Sequence, residues 1–133
     1  AILEYILIER SVIMKENKFQ AQLIKRLNQE FKGCIVLKLD PNYIQGIPDL
    51  LVLYKDKWAA LEVKRSAKAT HRPNQDYYVE KMNNMSFSAF VHPDNVEFIF
   101  NALRRVFNNE IQQPHKPCRK SRVPVSKQLP LAK

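Results

Sequence analysis

Apolar residues recur every four positions along residues 15–32, KENKFQAQLIKRLNQEFK. Phe19, Leu23, Leu27 and Phe31 form one stripe with Ile24 beside it, and Lys and Arg fill the other face. That period predicts an amphipathic helix, and Gly33 supplies a plausible stop. The period then shortens to that of strands. CIVLKLD at 34–40 reads as a β-strand broken by Pro41-Asn42. Residues 48–54 and 57–65 read as two more, joined by a tight turn at Lys55-Asp56. After a loop over 66–72, Pro73 suits a first helical position, so PNQDYYVEKMNNM reads as a second helix. SFSAFVH at 86–92 is a fourth strand. Asp94 and Glu97 then have the spacing of a capping box opening a last helix that runs to about Asn108.

The order α-β-β-β-α-β-α predicts an α/β fold with helices on the faces of a mixed sheet. Strands two and three form an antiparallel hairpin, and the strand after the second helix returns parallel to a neighbour. With 133 residues and an apolar fraction of 45%, one domain with a real core is expected. No internal repeat is present. The apolar runs are too short to span a membrane, so no membrane partner is expected.

Charge adds an asymmetry. The net charge is +9, and residues 111–133 contain six Lys and Arg and no acid. The domain itself is read as 14–110, and 111–133 as a basic, flexible tail suited to a polyanion or simply solvated. The two cysteines, Cys34 and Cys118, make neither a disulfide framework nor a zinc motif, so an intracellular, cytoplasmic setting is expected. Residues 1–13, AILEYILIERSVI, are read as a separate extension. Glu4 and Glu9 bracket their apolar run and no basic segment precedes it, unlike a signal peptide. Met14 reads like a translation start, which makes 1–13 an upstream extension. The alternative is an apolar helix or strand packed on the domain or on a second subunit.

The candidate chemistry lies in GIPDLLVLYKDKWAALEVK, residues 46–64. Side chains alternate along a strand, so Glu62 and Lys64 share a face. Residue numbers of cross-strand partners around the Lys55-Asp56 turn sum to about 111, which sets Asp49 opposite Glu62. Facing carboxylates repel unless a proton or a cation lies between them. A hard divalent cation such as Mg²⁺ satisfies them, and Lys64 is placed to meet a phosphate or a metal-bound water. The bland alternative is a salt-bridged surface patch.

Pro48-Asp49 with Glu62-Val63-Lys64 resembles the P-D…(D/E)-x-K signature of restriction-endonuclease-like nucleases. Extended to Gly46-Ile47-Pro48-Asp49, Leu61-Glu62-Val63-Lys64 and Gln75, the pattern is similar to the virus-type replication-repair nuclease (VRR-NUC) family, in its small stand-alone phage form. The resemblance covers about residues 15–107. It implies a restriction-endonuclease-like α-β-β-β-α-β core and a Mg²⁺- or Mn²⁺-dependent DNA endonuclease. Asp49, Glu62 and the backbone carbonyl of Val63 would be metal ligands. Lys64 would orient the attacking water, and Gln75 would lie over the site. It further implies an acid from the first helix, Glu16 as a further ligand or the lower-ranked Glu30. It implies a homodimer acting on branched DNA such as four-way junctions, encoded by a phage or bacterium. Glu16 has a simpler reading too, since an acid near a helix N-terminus is favoured by the dipole.

Around this core, Arg65, Lys68, His71 and Arg72 in the following loop, and Tyr43 just before the G-x-P-D turn, are candidate DNA contacts. A solvated loop is the alternative for the basic cluster. Three other functions compete. A dimerising interaction protein with residues 1–13 as its interface leaves Asp49, Glu62 and Lys64 unexplained. A non-catalytic nucleic-acid-binding domain on the same fold would have no use for two facing acids. A sequence-specific restriction or homing nuclease usually carries recognition insertions that this chain lacks.

Overall fold

The computed structural model describes residues 1–108, so the tail at 111–133 lies outside the described residues. Seven elements follow the expected order: α1 (Ile2–Glu30), β1 (Ile35–Lys38), β2 (Leu50–Tyr54), β3 (Lys57–Val63), α2 (Pro73–Met85), β4 (Phe87–Val91) and α3 (Val96–Phe107). They build an open four-stranded mixed sheet in the order β1-β2-β3-β4, with β3 and β4 parallel and the other pairs antiparallel.

One face of the sheet is the main core. Leu50 and Val52, Ala59, Leu61 and Val63, and Phe87 and Val91 meet Leu23, Leu27 and Phe31 of α1. Ile99, Phe100, Leu103 and Phe107 of α3 complete it. The four-residue stripe of α1 is thus the face that this sheet buries. Arg26 fastens α1 to α3 by forking Glu97 while lying 3.9 Å over the Phe100 ring, and Arg104 binds Glu30. On the opposite face α2 covers β3 and β4.

The hairpin register matches the sequence arithmetic, with Leu50 opposite Leu61 and Tyr54 opposite Lys57. Lys55 takes the turn at φ +56°. Elsewhere the boundaries move. β1 is shorter than 34–40 because the Asp40 side chain accepts a hydrogen bond from the Asn42 N–H and turns the chain away. The Asp94–Glu97 capping box does not form. Asn95 is the N-cap residue, its side chain tied back to His92 and Phe90, and Glu97 is held by Arg26.

The largest departure is at the N-terminus. No boundary separates 1–13 from 14 onward, because α1 runs unbroken from Ile2. Its first three turns leave the domain and stay exposed. Glu16 is therefore in mid-helix, and a helix-end dipole does not account for it. Among the described residues no helix is long and apolar enough to cross a membrane.

Candidate active site

Asp49 and Glu62 come together where β2 begins and β3 ends. Asp49 Oδ2 accepts the Val63 N–H at 2.9 Å, which anchors this carboxylate against the neighbouring strand. Backbone N–H and C=O of one residue point to the same side of an antiparallel strand, so the Val63 carbonyl also faces the start of β2. The register carried past Leu50–Leu61 sets Pro48 there, and proline has no N–H to offer it. Pro48 thus leaves that carbonyl free of the sheet ladder beside the first acid.

Glu62 is only 3% exposed. Its Oε1 accepts a 3.0 Å hydrogen bond from Gln75 Nε2, whereas its Oε2 is buried with no partner. An unsatisfied buried carboxylate oxygen is costly. Burial first, and the Asp49 charge second, push the Glu62 carboxyl up to about 8, with Lys64 pulling it back only in part.

Lys64 is 8% exposed, yet its ammonium does not bridge the two acids. It donates to Gln75 Oε1 at 2.8 Å and to the Thr70 carbonyl at 3.1 Å. An ammonium has three donors, so one remains. Gln75 Oε1 also accepts the Arg72 N–H at 3.1 Å. Because Lys64 and the Arg72 N–H can only donate, the Gln75 amide orientation is fixed. One side chain at the start of α2 therefore holds both Glu62 and Lys64.

Gly46 sets where that helix starts. It has φ +88°, and a Cβ built on it would lie 2.4 Å from Asn74 Cβ and 2.7 Å from the Asn74 backbone carbon. The G-x-P-D loop and the first turn of α2 touch backbone to backbone, which only glycine permits. Between them opens a cleft of about 580 Å³, with Asp49 and Glu62 in its lining. Pro41, Asn42, Gln45 and Ile47 line one wall, and Arg72, Pro73 and Asn74 line the other.

The remaining candidates divide. Glu16 stands near the site. Burial raises its carboxyl, the Asp49 charge raises it further, and Lys64 and Arg65 pull it back. It does not join the acid pair, however, for among the described residues no three His, Cys, Asp or Glu side chains converge as a ligand cluster. Glu30 is at the other end of α1, paired with Arg104. Arg65, Lys68 and Arg72 are exposed, and Arg72 lines the cleft. His71 is already engaged, stacked 3.8 Å from the Phe90 ring and bonded to Asp76. Tyr43 is 84% exposed and outside the cleft lining. Sequence reasoning missed the Thr70 carbonyl, which no side-chain pattern reveals. It also missed Asn42, Gln45 and Asn74, whose only signal is proximity to G-x-P-D and Gln75.

The donor set fits a hard divalent cation. It offers two adjacent carboxylates, one with an orphaned oxygen, and a main-chain carbonyl, which is an all-oxygen set of the kind Mg²⁺ takes together with water. No protein-family model, curated protein or solved structure matches the chain.

Proposed function

We propose that this protein is a metal-dependent DNA endonuclease of the VRR-NUC type, on a restriction-endonuclease-like fold. The observation that carries the reading is the Asp49–Glu62 pair, held on adjacent strands with Glu62 Oε2 buried and unpartnered. Lys64, two residues on, is held off the acids by Gln75. A structural ion pair would instead bring the lysine onto the carboxylates.

Asp49, Glu62 and the Val63 carbonyl would hold Mg²⁺ or Mn²⁺, with Glu16 acting from farther out. Such a cation acidifies water and offsets charge on a phosphodiester. The chain's own residues do the rest. Lys64, bonded to Gln75 of the cleft lining and to the Thr70 carbonyl, keeps one N–H for the attacking oxygen or a phosphate oxygen. Gln75 restrains Lys64 and Glu62 so that neither must reorganise as charge develops. Arg72, Arg65 and Lys68 bind flanking phosphates, and the N-terminus of α2 at the cleft adds a favourable field for an anion.

Cleavage assays test this. The full chain is incubated with linear duplex, single-stranded and four-way-junction DNA in Mg²⁺, Mn²⁺ or EDTA, beside Asp49→Ala and Lys64→Ala. Cutting that requires the metal and is lost in both variants is expected, strongest on the branched substrate. Cutting in EDTA, or full activity in both variants, refutes the assignment. Binding without cutting favours a non-catalytic nucleic-acid-binding domain.

A further inference from the structure

Two apolar surfaces of this chain lack a partner among the described residues. The first is the projecting arm of α1, where Ile2, Leu3, Tyr5, Leu7, Ile8 and Ile13 are each more than half exposed. These side chains lie around most of the helix, and a helix apolar on nearly all sides is normally buried. The second is half of the sheet. Ile35 pairs with Leu53 and Leu37 with Leu51, on the face opposite Val36 and Val52. On that face α2 covers β3 and β4, while Ile35 and Leu37 stay 56% and 42% exposed.

The arm cannot cover its own sheet. α1 is a single helix whose C-terminal half is packed on the other face, so reaching round would require breaking it. We infer that the arm, residues 2–13, docks on the open β1–β2 face of a second copy of this chain, and that the exchange is reciprocal. A two-fold axis then makes the same contact twice. At about 25 cal/mol per Å², the 1.5–3 kcal/mol gained by burying one large aliphatic side chain corresponds to roughly 60–120 Å². A sheet covers only about one side of a helix, so roughly three such side chains count, about 200–350 Å² per arm. Two arms with the two faces beneath them come to roughly 800–1,400 Å², which reaches the lower end of the roughly 1,200–2,000 Å² of a stable interface. Charge favours arm on domain over arm on arm. The arm carries Glu4 and Glu9 against Arg10, whereas residues 14–108 carry fifteen Lys and Arg against ten Asp and Glu. This inference does not depend on whether the chain cleaves DNA.

Sedimentation equilibrium of the full chain tests it, with Leu7→Glu and Ile35→Glu. Both positions are more than half exposed, so both variants should fold, which circular dichroism checks. The unaltered chain is expected to be a dimer, and each substitution to weaken it roughly 30-fold or more, as losing one central interface residue does. In a Cys34→Ser, Cys118→Ser background, a Leu7→Cys chain mixed with an Ile35→Cys chain should form a mixed disulfide on oxidation. Three results overturn the inference: a full chain that stays monomeric at high concentration, a dimer indifferent to Ile35→Glu, or a Leu7→Cys chain that cross-links only with itself.

Discussion

Glu62→Gln isolates the electrostatic cost built into the site. The chain's own groups push the Glu62 carboxyl to about 8 from an ordinary 4.5, chiefly by burial and then by Asp49. Between those values the folded protein keeps a proton that the unfolded chain has lost, so the folded state binds more protons and stability falls as pH rises. At about 1.4 kcal/mol per unit, the full window is worth roughly 4–5 kcal/mol, a large share of a typical domain's stability. Glutamine keeps the shape and an acceptor for Gln75 and cannot ionise. Urea titrations in EDTA from pH 5 to pH 9 should therefore show the two proteins close at pH 5, with the variant pulling ahead by up to about 4 kcal/mol at pH 8–9. Mg²⁺ should narrow that gap by stabilising only the unaltered chain, by about 2.7 kcal/mol at a hundred times its Kd. Parallel stability curves across this range would refute the reasoning, because they would mean that Glu62 ionises in the fold as readily as in the unfolded chain.

Three further perturbations probe how the site is held. Gly46→Ala forces a left-handed alanine against the Asn74 backbone. It should cost about 2–4 kcal/mol in a denaturant titration and lower cleavage by shifting Gln75. Gln75→Ala releases Lys64 and Glu62 together. It should lower kcat roughly 10–100-fold, the usual effect of losing a side chain that orients metal-ligating groups, with little change in DNA affinity by fluorescence anisotropy. Leu27→Ala hollows the α1–sheet core at a side chain with no exposed surface and should cost about 2–5 kcal/mol in a thermal or urea melt, without altering the pH dependence assigned to Glu62.

Local chemistry settled much of this protein in advance. The stripe Phe19-Leu23-Leu27-Phe31 can face only one way on a helix, and strand alternation sends Glu62 and Lys64 to the face opposite Val63. A two-residue turn at Lys55-Asp56 leaves one register, so Leu50 meets Leu61 and Asp49 arrives beside Glu62. These relations span a few residues and follow from covalent periodicity.

Relations between distant segments waited on packing. Pattern offers both Glu16 and, ranked below it, Glu30 as the helix acid, and only the packing of α1 puts the first near Asp49 and the second on Arg104. D-x-x-E before α3 satisfies a capping rule, yet Arg26, from a different helix, claims Glu97. The apolar extension is a continuation of α1, which a change in composition at Met14 disguised. Gln75 gained its role from an α2 whose first turn leans on Gly46, and Lys64 from a backbone carbonyl at Thr70. A sequence determines which side chains share a face. Tertiary packing decides which faces meet and which ions find partners, because those energies depend on distances that no local period contains.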